Sequence, residues 1–538
     1  MTRKNKRALT GNIAGMLAAM AFLACPSFAC AQDAPLDSKI SEITSRPEYK
    51  HSSFGIEVYS LDEKKVVYAL NAEKFFTPAS TTKLLTEGSA LELLGPDYRF
   101  HTRVYRTGSI STDGTLNGDL ILVASGDPNL SGRIQPDGTL AFENEDHAYA
   151  GSPDTKAVPG DPLMVIRQLA AQLAMRGIKR INGRVLVDAT LFPEGTRELG
   201  TDVVVSPICV NDNIIDLTVA PGDSEGAPAK LNISPATSYA AFINQMTTGP
   251  VGSKPDENLS DVPNPDGSHR VTLTGKFPLG GPSILYAYPV PRPSRFAQVT
   301  FVEALRENGV SVDLPAPNVP VDFKALASAY TPENVVAEHI SPLESEEVKV
   351  TLKVSQNLHA SMTPYILGAV LGHATQEVDQ AGFNLEHDFL TKAGLDLSGA
   401  SQADGAGGAQ SAFFTPDFVA HYLAFMATQK DFPLFEKALP ILGRDGTLWN
   451  IEVNSPAAGH VMAKTGTYGA YDALNKDLML TGKGLAGYMV TPDGRHLAFA
   501  IYANRVLLPL DDPDAPQKVV GQALGQIASA IYSTPYQQ

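Results

Sequence analysis

Cysteine is nearly absent from this chain, with three residues in 538, and that scarcity excludes a disulfide-stapled scaffold. The 11 histidines show no H-E-x-x-H or other metal-ligand spacing, so no metal and no cofactor is expected. There is no lysine- and arginine-rich run and no basic patch interleaved with aromatics. With a formal net charge of −16, phosphate backbones are repelled, and nucleic acid is not a partner. Past the first 31 residues, no apolar run reaches the roughly 20 residues that a membrane-spanning helix needs. Long low-complexity stretches are missing as well. Apolar residues at 43% against 19% charged residues therefore describe a chain able to bury a sizeable core, and its length predicts two or three domains.

What is present begins with a segment unlike the rest. Arg3, Lys4, Lys6 and Arg7 precede the apolar run from Ile13 to Ala24, and Ala29-Cys30-Ala31 supplies small residues for a peptidase. This reads as a signal peptide over residues 1–31, cleaved after Ala31, and it predicts an exported, periplasmic protein. Lipid modification of Cys25 is a minor alternative, because Phe22-Leu23-Ala24 is a poor lipobox and Pro26 follows directly. Cys25 and Cys30 depart with the leader, which leaves Cys209 as a buried apolar residue and moves the formal net charge to −20.

Leu36 to Ile43 has helical spacing, and Phe54–Ser60 and Val66–Leu70 flank a polar turn as a hairpin. After Pro78 a helix begins around Ser80, which places that serine at a helix N-terminus. Near the far end, Gly484–Val490 and His496–Ala503 form a second hairpin, and an amphipathic stretch from Gln517 to Tyr532 closes the chain. Both ends are thus expected in one antiparallel sheet with helices packed on it. Between about 99 and 340 the texture changes to short strands, many Gly and Pro turns and one clear helix over Pro162–Met175. This predicts an inserted domain, with a possible nested subdomain at about 222–290. From Pro342 to Gln429 helical periodicity returns for much of the stretch. The catalytic domain is accordingly assigned to 32–98 and 341–538.

Three short elements carry chemistry. In Ser80-Thr-Thr-Lys83, a serine and a lysine three apart project from one helix face, so a base lies one turn from a nucleophile. That lysine can accept a proton only when burial or a nearby positive charge makes its neutral form accessible. Alone the pattern is weak, since roughly one or two S-x-x-K matches arise by chance in a chain this long. Ser355-Gln-Asn357 by itself reads as turn or capping chemistry. Lys464-Thr-Gly466, followed by Thr467 and preceded by the strand-like His460–Ala463, offers a fixed charge, a hydroxyl, and a glycine beside which a substrate backbone can pass. Together and in this order, the three are the set found in penicillin-recognising serine enzymes.

On these motifs the chain resembles the class C low-molecular-mass penicillin-binding proteins, the D-alanyl-D-alanine carboxypeptidases and endopeptidases. Gly126-Asp-Pro128, Val210-Asn-Asp-Asn213, Asp404-Gly405 and Leu439 to Leu448 fall in that family's order. The resemblance implies an α+β fold: a β-lactamase-like transpeptidase domain, with an antiparallel sheet, helices on both faces and a helical subdomain, carrying large inserted β-rich domains. It implies that Ser80 attacks the carbonyl between two D-alanines and Lys83 takes its proton. Ser355 then relays a proton to the leaving amine, and Asn357 holds Lys83 and a substrate amide. Lys464 and Thr465 bind the substrate carboxylate, Gly466 sits beside them, and the backbone N–H groups of Ser80 and Thr467 form an oxyanion hole. Lys464 also supplies a positive field that keeps Lys83 neutral. The implied partners are peptidoglycan stem peptides and β-lactams, with no set oligomeric state.

The chain departs from the family pattern in places. Ser361 stands where the family has an acidic or amide residue, and Asp404-Gly-Ala-Gly-Gly-Ala-Gln410 lacks the family's serine and arginine. Tyr468 to Lys483 is longer than usual. A β-lactamase shares all three motifs but needs a carboxylate to activate deacylating water, and no motif places one. A non-catalytic penicillin-sensing or wall-binding protein has no need of an activated nucleophile.

Overall fold

The computed structural model describes residues 35–535 apart from 314, 317 and 318. The expected leader, its cleavage point and Cys25 lie outside the described residues. Both ends of the described chain meet in one sheet. Its strands run in the order Val461–Asp472, Asp477–Val490, His496–Asn504, Ser53–Ser60, Lys65–Leu70, and every pairing is antiparallel. The two hairpins read from the sequence are joined through Ser53–Ser60 and His496–Asn504, in register from Ser53 opposite Asn504 to Ser60 opposite Leu497.

Side-chain alternation explains why both faces of this sheet are covered. Leu497, Phe499, Ile501 and Ala503 enter one apolar cluster, and Ala498, Ala500 and Tyr502 enter another. A strand with period two and apolar residues on both sides has to be sandwiched. The first cluster takes Leu36, Ile40 and Ile43 from the helix Leu36–Thr44, together with Leu524, Ile527 and Ile531 from Gln522–Ser533. The second takes Leu84, Leu85 and Leu91 from Lys83–Leu94, and Phe418, Tyr422 and Leu423 from Pro416–Met426. The helices Glu344–Lys353, Asn357–Val370 and Val378–Lys392 fill much of the stretch where helical periodicity returns.

Between the hairpins the chain builds its own core. A four-stranded sheet in the order Val335–Ile340, His101–Arg106, Leu120–Val123, Val185–Asp188 carries the helices Met164–Met175 and Pro293–Glu307. A single apolar cluster, drawn from Val104 to Ala337, underlies them. The stretch at 222–290 supplies one three-stranded sheet and the two outer strands of another centred on Ile214–Ala220, and Met246, Val271, Leu273 and Phe277 join that same cluster. The helix expected over Pro162–Met175 starts at Met164, because the Asp161 carboxylate caps Leu163 before the first turn.

Several acids lie buried beside the helix that starts at Lys83. Burial first, then Glu344, pushes Glu87 up to about 8. Burial and Asp127 push Glu344 up to about 8, and burial pushes Glu386 up to about 7. Such groups hold protons more tightly in the folded state, so their contribution is complete below the unfolded value near 4.5 and is lost as pH rises through 7 to 8. The melting temperature should therefore fall between about pH 5 and pH 8. Glu344→Gln should flatten that slope in a calorimetric pH series, and an unchanged slope in the variant would remove Glu344 from this role.

Candidate active site

Pro78 and Ala79, the latter with φ of 47°, turn the chain into a short 3-10 segment, Ala79–Thr82, that runs directly into the helix Lys83–Leu94. Ser80 therefore stands at the start of the helical segment and Lys83 is the first residue of the α-helix. The turn is pressed against the sheet by glycines. A β-carbon at Gly466 would lie 2.3 Å from the Pro78 carbonyl, and one at Gly482 would lie 2.6 Å from Thr77. The close approach that Gly466 permits on its β-carbon side is thus made by the protein's own Pro78–Thr81 turn.

Lys83 is fully buried. Its Nζ donates to Ser80 Oγ at 2.8 Å, to Asn357 Oδ1 at 2.7 Å and to the Ala406 carbonyl at 3.1 Å. Burial pushes its pKa down to about 8, against the opposing pull of Glu198, Asp404 and Glu87. Desolvation is the leading cause. Burial, Lys83 and Lys483 together hold Lys464 well below the usual lysine range, and the repulsion between Lys83 and Lys464 disfavours the charged form of each.

Ser355 occupies the turn between the helices Glu344–Lys353 and Asn357–Val370 and has φ of 63°. Its Oγ accepts a hydrogen bond from Lys464 Nζ at 2.8 Å. Gln356 caps the following helix by accepting from Leu358 N at 3.0 Å, which directs Asn357 toward Lys83. The sequence elements thus meet in two hydrogen-bonded sets, Ser80 to Lys83 to Asn357 and Lys464 to Ser355. Thr465 and Thr467 line the cleft above them, with Ser80 and Ser355.

Two features of the site come from the inserted region. The Tyr149 hydroxyl lies 2.8 Å from Asn357 Oδ1 and 2.5 Å from the Ser355 carbonyl, and its single proton serves both acceptors of the turn. Burial of this hydroxyl pushes it well above the usual phenol range. The second feature is Asp212. Its carboxylate accepts from Arg133 Nη2 at 2.6 Å, His147 Nε2 at 2.9 Å, Gln356 Nε2 at 3.0 Å and His359 Nε2 at 3.0 Å. One carboxylate thereby ties Gln356 and His359, on either side of Asn357, to His147, two residues from Tyr149. Arg133 also forks onto Asp146 at 2.8 and 2.9 Å. Burial would raise Asp212, but the Arg133 charge holds it well below the usual carboxylate range.

Neither Tyr149 nor Asp212 was identified from the sequence as part of the site. Val210-Asn-Asp-Asn213 did carry a usable signal, since successive Asn and Asp residues tolerate left-handed backbone, and φ is 50°, 53° and 53° at Asn211, Asp212 and Asn213.

The departure at Asp404 to Gln410 also has a structural use. Asp404 Oδ1 accepts from the backbone N–H groups of Ala406 at 2.7 Å, Gly407 at 2.5 Å and Gly408 at 3.1 Å, and Oδ2 accepts from Ala409 at 2.5 Å. The wound loop aims the Ala406 carbonyl at Lys83. A side chain at Gly407 would strike the Ala79 carbonyl at 2.0 Å.

The family model described as D-Ala-D-Ala carboxypeptidase 3 (S13) matches residues 36–525. A D-alanyl-D-alanine carboxypeptidase of Actinomadura sp. (strain R39) is 28% identical over 506 residues, covering 89% of this chain and 84% of that protein. The D-alanyl-D-alanine carboxypeptidase DacB of Haemophilus influenzae is 23% identical over 483 residues, covering 86% and 88%. The crystal structure of penicillin binding protein 4 from Haemophilus influenzae superposes with a TM-score of 0.70 at 20% identity, over 92% of this chain and 99% of that one, and shows the same fold.

Removing one partner from a buried, charged cluster leaves the others uncompensated. Asp212→Asn should accordingly cost about 3 kcal/mol of unfolding free energy, even with Asp146 still on Arg133. Tyr149→Phe, which loses only hydrogen bonds at a partly exposed ring, should cost about 1 kcal/mol. Urea titration of both variants tests this, and equal effects would contradict it.

Proposed function

The chain belongs to the D-Ala-D-Ala carboxypeptidase 3 (S13) family, and on that premise we propose that Ser80 is the acylated nucleophile and Lys83 its general base. The protein is a serine-type D-Ala-D-Ala carboxypeptidase. One observation carries the residue assignment: a fully buried lysine, bonded only to neutral acceptors, lies 2.8 Å from the serine oxygen. A charged lysine cannot take a proton, and burial is what makes the neutral amine accessible.

In the reaction Ser80 Oγ forms a bond to the carbonyl carbon of the penultimate D-alanine while its proton passes to Lys83 Nζ. The tetrahedral oxyanion is held by the backbone N–H groups of Ser80 and Thr467, the kind of stabilisation that contributes most in acyl transfer. The C–N bond then breaks, and the leaving amine takes a proton through Ser355, which Lys464 orients. Terminal D-alanine departs, water attacks the acyl-enzyme by the reverse relay, and Ser80 is regenerated. A β-lactam enters the same cycle, and its ring-opened acyl group stays on Ser80. The substrates are stem peptides of peptidoglycan, cleaved at terminal D-alanine and, in cross-links, at the bond after D-alanine. No helix among the described residues is long and apolar enough to cross a membrane, which is compatible with an exported chain released by cleavage after Ala31.

Fluorescent penicillin should label the unmodified protein stably and leave Ser80→Ala unlabelled, as read by gel and intact mass. Rapid loss of the label as hydrolysed drug would favour a β-lactamase, and no label on either protein would sink the catalytic assignment. The labelling rate should rise with pH and level off above about 8, where Lys83 is neutral. Lys83→Arg should abolish labelling at every pH, and a flat profile in the unmodified protein would exclude Lys83 as the base.

A further inference from the structure

The carboxylate-binding role that the family resemblance gives to Lys464 does not match where that ammonium points. Lys464 is fully buried, and two of its three Nζ donors go to Ser355 Oγ at 2.8 Å and to the carbonyl of its neighbour Thr465 at 2.9 Å. It is not among the residues that line the cleft, whereas Lys483 is, together with Ser80, Thr465, Thr467 and Gln517. No motif in the sequence singled out Lys483.

Its position follows from strand register. Lys483 lies on Asp477–Val490 directly opposite Thr467 of the edge strand, and residues paired across neighbouring strands share a face. Lys483 Nζ donates to Thr467 Oγ1 at 2.6 Å and to Gln517 Oε1 at 3.0 Å. An ammonium has three donors, so one remains for a ligand. Among the described residues no carboxylate is recorded within ion-pair distance of it, and burial alone pushes it down to about 8. A nearly buried cation on neutral acceptors, 3% exposed and facing a cleft, is short of an anion. The described residues supply none.

We propose that Lys483, with the hydroxyl of Thr467, receives the C-terminal carboxylate of the substrate's terminal D-alanine, and that Gln517 holds the lysine in place. The assignment rests on the carboxypeptidase reading above. It divides the labour of the lysines: Lys83 moves the proton, Lys464 orients Ser355, and Lys483 reads the end of the peptide. It also gives the residue after Gly466 a double use, with the Thr467 N–H toward the oxyanion and its side chain toward the carboxylate. A substrate carboxylate beside Lys483 would stabilise its ammonium, so the site becomes charged as it fills.

The test compares kcat/KM for an N-acylated D-Ala-D-Ala peptide and for its C-terminal carboxamide, following release of D-alanine or D-alaninamide. The unmodified protein should prefer the carboxylate by roughly 10- to 100-fold, the size of a hydrogen bond to a charged group. Lys483→Met should bring that ratio close to one, and Lys483→Arg should keep most of it. Gln517→Glu, which places an internal carboxylate on Lys483, should also collapse the ratio, and it decides the matter if Lys483→Met does not fold. A ratio that survives in folded Lys483→Met or in Gln517→Glu, with both substrates losing rate in equal proportion, would overturn the assignment. Failure of the underlying reading looks different: the unmodified protein would release nothing from either peptide and Ser80 would take no penicillin.

Discussion

Taking an ammonium group out of water is costly, and the surroundings of Lys83 are organised by that cost. Its three donors meet a hydroxyl, an amide oxygen and a main-chain carbonyl, while the acids that pull it back toward the charged form, Glu198, Asp404 and Glu87, are not among its hydrogen-bond partners. A direct carboxylate partner would make Lys83 a permanent cation and leave Ser80 without a base. Each neutral partner must then be fixed by something else. The Ala406 carbonyl is fixed by the Asp404 loop, Asn357 by Tyr149 and its neighbours, and Ser80 by the glycine-lined strands beneath it.

Asp212 is the point at which these supports converge. It lies in the inserted region, yet two of its four partners, Gln356 and His359, are on the helix segment that presents Asn357. Its negative charge is balanced by Arg133 and by His147, which burial would neutralise but which Asp216 and Asp146 push up to about 10. The insert therefore does more than cover the catalytic sheet, because it carries the charges that hold the Ser355 turn in a left-handed conformation a serine does not favour on its own.

Much of the fold and the centre of the site were legible in the sequence for a local reason. The hairpins, the helix start at Ser80 and the three motifs are each written in a few adjacent residues. What was missed depends on contacts between distant positions. Tyr149 meets Asn357 across 208 residues, and Lys483 becomes visible only through its register against Thr467. The group that the missing β-carbon of Gly466 admits is the Pro78 carbonyl, and nothing in a run of letters names that neighbour. The leading cause of the Lys83 shift was not legible either, because burial depends on the whole surrounding structure and no motif encodes it.

The strand Ser53–Ser60 finds its inner partner in His496–Asn504, at the opposite end of the described chain. During synthesis the insert, whose apolar cluster is drawn from Val104 to Ala337, has all its residues available long before that partner exists. The sheet that presses on the nucleophile turn is therefore the last large piece to be assembled, since closing so long a loop must await its final strand. Until then Lys83 is wet and charged. On the proposed roles of Ser80 and Lys83, the chain acquires its chemical reactivity only when its last strands arrive, so an incomplete copy is inert.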